Sequence, residues 1–405
     1  MTFECALEDP VEQAERVLAD FPLCDRCLGR LFGMLGRGLS NEERGRALKL
    51  AIVMRLHARI REGDPESLQR FRALAPNLGQ VASRLYKELY GEELGPRPCY
   101  LCGGLLEKFI EDAARRAFEA MRPYNVKSFL IGVRVSSDYV AREEDLRSRY
   151  SLKYGESLKS ELKREIGKLI QSRYGLAPDF ARPEAVATVE FPGGSVEVSV
   201  RRLIMAARYH RANRWTPIRP MESSPVLDAI LKATGGSYVS VKGLVRDEMG
   251  VRVLGAGVPV IVEVSRPLSR DSLRPGDRVE ANGQALELEA LEVAMPRHEE
   301  LLRRTRTYRC IILSETSLSE AALSLASSSL LDKEVRQRVG THEAIGRVKG
   351  VSCRKITDHV AECLISSEER IYVRELVTGH GTSPSLAEAL GSKLECVLAD
   401  LVEVS

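Results

Sequence analysis

The stretch VRDEMGVRVLGAGVPVIVEV, residues 245–264, ends in a run that is apolar except for Glu263. Residues 258–264 have the length of one buried strand and are too few for an ordinary helix. Two adjacent acids, Asp247 and Glu248, precede this strand. They are either catalytic carboxylates or solvated loop acids, and the residue types alone do not separate the two possibilities.

Strand-like and helix-like segments alternate around this run from about residue 222 to the C-terminus. We predict strands at TYRCIIL, which contains Tyr308, at VRQR, at RIYVRELV, which contains Tyr372 and Arg374, and at LECVLADLVEV, which closes the sheet. The segment SLSEAALSLASSSLL is typical of a helix. This half is therefore expected to be α+β with a mixed sheet.

The composition is that of an ordinary globular protein. The chain has 405 residues, 44% of them hydrophobic and 29% charged, which suits two or three domains. Its apolar runs are too short to span a bilayer, and the acidic N-terminus lacks an apolar signal core. We expect a cytoplasmic protein with no membrane association and no obligate protein partner. We find no P-loop, Rossmann or HExxH motif, and LGAG is too weak a pattern to indicate an organic cofactor.

Arginines crowd two segments, although the net charge of +3 does not itself demand a nucleic-acid partner. One group is Arg303, Arg304, Arg306 and Arg309, and the other is Arg201, Arg202, Arg208, Arg211, Arg214 and Arg219. They form either solvated surfaces or phosphate contacts. In RYHRANRWTP, Tyr209 and Trp215 could stack on unpaired bases, or the segment could be a basic linker with a buried tryptophan.

Four of the nine cysteines form two CxxC pairs, Cys24 with Cys27 and Cys99 with Cys102. Two such pairs suit tetrahedral zinc, and four thiolates leave no open coordination position, so the predicted Zn²⁺ is structural. The alternative is four reduced core cysteines. The long insert between the pairs is predicted to be helical, with Ser40 and Glu43 as a capping box. Glycines 29, 103 and 104 suit tight turns after the pairs, and the remaining cysteines (5, 310, 353, 363 and 396) are expected in the core without a disulfide framework.

The middle segment begins with ESLKSELKREIGKLI, whose apolar residues recur at helical spacing. A hairpin follows, with strands of alternating residues around Pro192, Gly193 and Gly194. A helix, then the segment PDFARP and then a hairpin follow the layout of THUMP domains, which bind RNA. We therefore expect an accessory RNA-binding domain over residues 1–215 (zinc site about 24–102, THUMP-like part about 120–210) and a second domain over residues 222–405.

Several segments follow one another in a characteristic order. They are the CxxC pairs, LKREIGKLI with PDFARPEA, GLVRDE before VRVLGAGVP, TYRCII, VRQR and IYVRELVTG with TSPSLAEALG. In this order they resemble the archaeal tRNA pseudouridine synthases of the Pus10 family. The resemblance implies a zinc and THUMP accessory domain followed by a pseudouridine synthase catalytic domain. The implied substrate is tRNA, at one or both of the adjacent uridines 54 and 55 of the TΨC loop.

The resemblance also implies residue roles. Asp247 is the expected nucleophile, and Tyr308 and Tyr372 are expected to contact the uridine. An ungapped match, however, places the family's aspartate at Glu248 and its arginine at Arg246, so the order of the two acids is reversed. Glu248 therefore remains the alternative nucleophile, and it is also open whether either acid is catalytic.

Two further features bear on these roles. The family's Gly-Arg-Thr-x-Pro-Ser reads HGTSPS here, and Arg374 is the nearest candidate to replace its missing arginine. By residue type alone, both tyrosines are more typical of core residues on strands. A homologue that binds tRNA without catalysis, for example as a folding factor, is the alternative function, whereas a zinc enzyme is disfavoured by the filled coordination sphere.

Overall fold

The computed structural model describes residues 9–214, 224–244, 250–294, 304–368 and 370–405. The chain divides into two compact units, Met1–Ser199 and Val200–Ser405. The division lies before the boundary expected near residue 215, because the strand Leu203–Arg211 belongs to the sheet of the second unit. In the part of the chain that is described, no helix is both long and apolar enough to cross a membrane.

The first unit begins with helices that surround the CxxC pairs. They are α1 (Pro10–Asp20), α2 (Asp25–Leu31), α3 (Asn41–Arg61), α4 (Pro65–Leu78) and α5 (Gln80–Tyr90). The insert is therefore helical, and the capping box of Ser40 and Glu43 is confirmed at the start of α3. Gly29 lies inside α2 rather than in a turn, and a Cβ there would be 1.7 Å from the Asn41 carbonyl oxygen. Its role is thus to let α2 and α3 approach closely.

The rest of the first unit packs helices on a four-stranded sheet. Its elements are α6 (Leu106–Met121), a 3₁₀ turn (Arg122–Tyr124), β1 (Ser128–Val135), α7 (Ser137–Arg149), α8 (Leu158–Tyr174), β2 (Ala177–Pro178), β3 (Ala185–Phe191) and β4 (Val196–Val200). The strand order is β2-β1-β3-β4, with β1 parallel to both neighbours. The predicted helix is α8, and its apolar positions Leu162 and Ile166 are buried. The predicted hairpin is β3 and β4.

The second unit is built on one large sheet. Its elements are β5 (Leu203–Arg211), α9 (Pro225–Thr234), β6 (Tyr238–Lys242), β7 (Arg252–Ser265), β8 (Arg278–Ala281), β9 (Gln284–Leu291), β10 (Thr305–Ser314), α10 (Glu320–Leu330), β11 (Glu334–Val339), β12 (His342–Lys355), β13 (Val360–Glu368), α11 (Val373–Thr378), β14 (Thr382–Ser383), α12 (Leu386–Leu390) and β15 (Leu394–Val404).

Eleven of these strands make the sheet, in the order β14-β11-β12-β13-β10-β15-β7-β5-β9-β8, with β6 also paired to β7. Strands β15 and β7 run parallel, and the other pairs whose direction is known are antiparallel. The α+β class and the mixed sheet are confirmed. The buried run at residues 258–264 is the C-terminal part of β7.

Strand β7 bends at LGAG, where Gly255 and Gly257 have φ of +58° and +73°. A Cβ on Gly255 would lie 2.2 Å from the Val402 carbonyl oxygen. Gly255 therefore lets β7 approach β15 closely, whereas a Cβ on Gly257 would lie 2.7 Å from His210 Cε1 on β5, so both glycines of LGAG have structural roles.

Two segment predictions were wrong in part. RIYVRELV forms the helix α11 rather than a strand, with Val373, Leu376 and Val377 buried at helical spacing. LECVLADLVEV is a strand, β15, but it lies inside the sheet between β10 and β7 instead of closing it.

The isolated cysteines are partly as expected. Cys310 and Cys396 are free and buried. Cys353 and Cys363 face each other across β12 and β13 and form a disulfide, which corrects the expectation that none would occur. Cys5 lies outside the described residues.

Candidate metal centre and candidate active site

The four cysteines of the CxxC pairs converge in the first unit. All four sulfur atoms lie within 4.8 Å of one another, and the Cys24 and Cys102 sulfurs are 3.8 Å apart. A tetrahedral zinc with Zn–S bonds of about 2.3 Å sets its sulfurs about 3.8 Å apart. Three of the four residues are buried, and Cys24 is half-buried at the N-terminus of α2. The cluster therefore has the donors, spacing and enclosure to hold a metal ion.

The electrostatics of the cluster favour a cation at its centre. Hydrogen bonding with Cys102 is the main cause that raises the pKa of Cys24 and Cys27 and lowers the pKa of Cys99. Four thiols at this spacing cannot all ionise together, because each new thiolate repels the others. A bound divalent cation removes that conflict, since it stabilises every thiolate at once.

Arg30 connects this cluster to the helices of the THUMP-like part. Its Nη1 donates to the Cys27 sulfur at 3.7 Å and to Glu161 at 2.9 Å, and its Nε donates to Glu143 at 2.7 Å. The guanidinium is 1% exposed, and the two carboxylates lie on α8 and α7. A buried cation thus compensates two buried carboxylates beside a group of thiols.

The expected catalytic acids Asp247 and Glu248 lie outside the described residues, as do Arg246 and Trp215. Gly250 is the first described residue after the acids, with φ of +77°. Gly250 and its contacts therefore lie next to the expected acids along the chain.

Arg374 is directed at this point of the chain. It lies on α11, and its Nη2 donates to the Gly250 carbonyl while its Nη1 donates to the Cys396 carbonyl, both at 3.3 Å. Among the described residues, its buried Nε has no hydrogen-bond partner. Arg374 thus places a cationic side chain at Gly250, which follows the segment with the two acids in the chain, and its role at the site stays a prediction.

The two tyrosines lie on elements next to β15. Tyr308 is on β10, is 4% exposed and pairs with Leu401. Tyr372 is half-buried at the N-terminus of α11. The Gln337 side chain holds its backbone, accepting from the Tyr372 N–H at 2.7 Å and donating to its carbonyl at 2.8 Å. Convergence of both rings with an acid at residue 247 or 248 stays a prediction.

A feature that the sequence reasoning missed is the carboxylate of Asp400 on β15, which is 2% exposed. It accepts from Arg214 at 2.5 Å, from Arg252 at 2.9 and 2.7 Å, and from Arg309 at 3.1 Å. Burial alone would raise the pKa of Asp400, but the hydrogen bonds from Arg252 and Arg309 outweigh it and lower the pKa to about 2. The group is therefore a permanent anion at neutral pH.

Other arginines of the two crowded segments also have partners inside the second unit. Arg201 pairs with Glu292 at 3.1 Å, Arg208 with Glu289 at 2.7 Å, and Arg202 with Glu263. Arg211 is 1% exposed. The described arginines named here thus have partners within the same unit, whereas Arg219 and Arg303 lie outside the described residues.

Tyr209, expected as a possible base-stacking residue, is 1% exposed in the core of the second unit. It alternates on β5 with half-buried neighbours, as a strand residue does. A buried ring offers no face to a base, so the stacking role is wrong for this residue.

Comparison with known proteins identifies the family. Residues 113–190 match the archaeal Pus10 THUMP domain, and residues 205–405 match the Pus10 C-terminal domain. The tRNA pseudouridine synthase Pus10 of Acidilobus saccharovorans is 45% identical over 98% of both chains. The proteins of that name from Aeropyrum pernix and Ignisphaera aggregans are 37% and 31% identical over 97% of this chain, and the matches cover 97% and 98% of their own lengths. The chain belongs to the Pus10 family.

Membership of the Pus10 family confirms the resemblance found in the sequence and makes the chain a pseudouridine synthase, an isomerase. It also confirms the THUMP domain, whose match runs from the second half of α6 through most of β3. The second unit carries the Pus10 C-terminal domain, and the Gly250 surroundings lie within it.

The structure explains one departure from the Pus10 pattern. In HGTSPS the position of the missing arginine is Gly381, which has φ of +58°. A Cβ there would lie 2.3 Å from the Arg338 carbonyl oxygen, so no side chain fits. Thr382 and Ser385 match the family's motif and have structural roles, because Thr382 pairs with β11 and Ser385 caps α12.

Proposed function

We propose that this protein is a tRNA pseudouridine synthase that isomerises uridine in the TΨC loop, at position 54, position 55 or both. Similarity along almost the whole chain to proteins named tRNA pseudouridine synthase Pus10 is the observation that carries this proposal. The covalent chemistry needs no redox partner and no organic cofactor. The C1′–N1 glycosidic bond of uridine breaks, the base rotates, C1′ bonds to C5, and a proton leaves C5 while N1 gains one.

Asp247 is the proposed nucleophile, with Glu248 as the alternative. Three trans peptide units span at most about 11 Å, so an acid at residue 247 is attached within reach of the groups around Gly250. Arg374 donates to the Gly250 carbonyl, and among the described residues its buried Nε is left without an acceptor. A carboxylate is the natural partner for that nitrogen, and the guanidinium would keep the acid ionised at neutral pH.

The target uridine must leave the folded loop before its glycosidic bond can be attacked. Tyr372, half-buried at the start of α11, is proposed to contact the extruded base. Tyr308 is proposed to form the back of the pocket, because it is 4% exposed and has little surface to offer. Arg246 is proposed to contact the nucleotide beside the acids.

The first unit is proposed to bind the tRNA body. Its THUMP domain is the part implied to contact RNA, and the four-cysteine cluster is proposed to hold a structural Zn²⁺. Zinc bound by four thiolates has no open position, so its contribution is to fix α2 and the loop around Cys99. The uridine chemistry then depends only on residues of the second unit.

An assay with an unmodified tRNA transcript tests the proposal. After incubation with the protein, pseudouridine is mapped by carbodiimide modification and primer extension. We expect a stop in the TΨC loop, and matched transcripts with cytidine at position 54 or 55 identify which stop depends on which uridine. No stop, together with tight and salt-sensitive tRNA binding, would make the protein a binding homologue and overturn the proposal.

A further inference from the structure

Hydrogen bonds from arginine side chains involve each of residues 250–252. The Gly250 carbonyl accepts from Arg214 and from Arg374, each at 3.3 Å. The Val251 carbonyl accepts from Arg211 Nε at 2.8 Å. Arg252 itself forms a two-point fork with Asp400. Three consecutive residues are therefore fixed one by one, immediately after the segment that contains the two acids.

Asp400 is the anion that organises this set. Its Oδ1 accepts from Arg214 and Arg252, and its Oδ2 accepts from Arg252 and Arg309. Arg214 also donates to the Ala399 carbonyl at 2.6 Å, so one guanidinium binds the Asp400 carboxylate and the backbone carbonyls of Ala399 and Gly250. Without the carboxylate, the three guanidinium groups would repel one another at this spacing and Arg214 would lose its anchor.

The parallel pairing of β15 and β7 starts at the same place. Arg252 is the register partner of Asp400, and Val253 is the partner of Leu401. The cluster thus fixes where β7 begins relative to β15. An error of about 1 Å at a reacting group can lower the rate about a hundredfold, so a fixed starting point has catalytic value.

We propose that Asp400 is a positioning residue for the isomerisation, which acts through Arg214 and Arg252 to fix the backbone at residues 250–252 and hence the origin of the segment that carries the nucleophile. This inference rests on the proposed function. Asp400 does not touch the uridine in this proposal, and tRNA binding does not depend on it.

The test compares Asp400→Asn with Glu263→Gln in the full chain. Both substitutions remove one charge from a buried, arginine-paired carboxylate of the same sheet, and Glu263 pairs with Arg202 and Lys242 away from residues 250–252. We expect Asp400→Asn to lower kcat about 10- to 100-fold, with KM and the Kd for tRNA within about twofold of wild type. Glu263→Gln is expected to keep kcat within about twofold at a similar loss of thermal stability.

A second variant and a second readout keep the outcome clear if Asp400→Asn does not fold. Arg214→Lys retains a cation for Asp400 but lacks the planar fork that reaches Gly250 and Ala399 at once. We expect it to lower kcat with KM unchanged. Deuterium uptake by peptides that cover residues 250–254 should rise in both variants and stay at the wild-type level in Glu263→Gln.

The two proposals fail differently. A wild-type protein that makes no pseudouridine removes the proposed function and this inference with it. An active wild type whose Asp400→Asn and Arg214→Lys variants keep kcat within twofold, or lose activity only in proportion to unfolded protein, overturns the positioning role alone. Unchanged deuterium uptake in both variants overturns it as well.

Discussion

Replacing Arg30 with Met should destabilise the first unit strongly, because one buried guanidinium compensates two buried carboxylates. Glu161 is 0% exposed and Glu143 is 6% exposed. Removing one partner of a buried ion pair costs about 3–5 kcal/mol. The structure argues against doubling this value: Glu143 still accepts from the Leu158 N–H at 3.0 Å, and Glu161 still has Arg26 at 3.9 Å. We expect a loss of about 3–5 kcal/mol for Arg30→Met.

The matched control is Arg115→Met in the same unit. Arg115 also pairs with two acids, Glu119 at 3.2 Å and Asp112 at 3.5 Å, but its side chain is 51% exposed. Exposed pairs of this kind contribute little to stability, because solvent and salt screen them. Urea unfolding followed by helical circular dichroism, with zinc present in excess, gives both free energies of unfolding. If Arg30→Met and Arg115→Met lower the free energy of unfolding equally, the buried network does not stabilise the unit as argued.

Three further predictions follow from the described geometry. The purified chain should release about one Zn²⁺ per molecule, and Cys99→Ser should release almost none, as measured with a colorimetric chelator; equal release from both would contradict the four-cysteine site. The charge of Asp400 should stabilise the fold equally from pH 5 to 8, and this stabilisation should fade as the pH drops toward 2, because its folded pKa of about 2 lies below the unfolded value of about 3.9. If the difference in the free energy of urea unfolding between wild type and Asp400→Asn changes between pH 6 and 8, this assignment is contradicted. Gly381→Ala should lower the free energy of unfolding more than Gly391→Ala, since both positions have φ near +60° but only at Gly381 would a Cβ meet the Arg338 carbonyl oxygen. In urea unfolding we expect a loss of about 1 kcal/mol for Gly391→Ala and about 2–3 kcal/mol for Gly381→Ala, and equal losses would refute the clash.

Local patterns in the sequence predicted the parts of the fold that local chemistry determines. The two CxxC pairs predicted the cysteine cluster, because each pair brings two thiols to one turn. Ser40 and Glu43 predicted the start of α3 by side-chain capping. Alternating residues and the turn residues between them predicted the hairpin of β3 and β4, because a short turn brings two neighbouring strands together.

The sequence misled where long-range contacts decide the structure. RIYVRELV is rich in residues that favour strands, yet the Gln337 side chain binds the Tyr372 backbone and α11 starts there. The clue was the helical spacing of Val373, Leu376 and Val377, which competed with residue propensity.

The Asp400 cluster had only a weak signal in the sequence, a single acid within the otherwise apolar VLADLV. Its partners Arg214 and Arg252 are 186 and 148 residues away along the chain, so no local pattern could pair them. The crowding of arginines was evident in the sequence, but the sequence could not show that several of them bind carboxylates and carbonyls of the same unit.

The most direct test of the central claim is a pseudouridine map of one unmodified tRNA transcript treated with wild type, Asp247→Ala or Glu248→Ala. We predict a TΨC-loop stop with wild type that is lost in one variant and retained in the other, with Asp247 as the expected essential acid. Loss in Glu248→Ala alone would transfer the role to its neighbour. Full modification by both variants would contradict a carboxylate mechanism at this segment, and absence of the stop with wild type would contradict the enzyme itself.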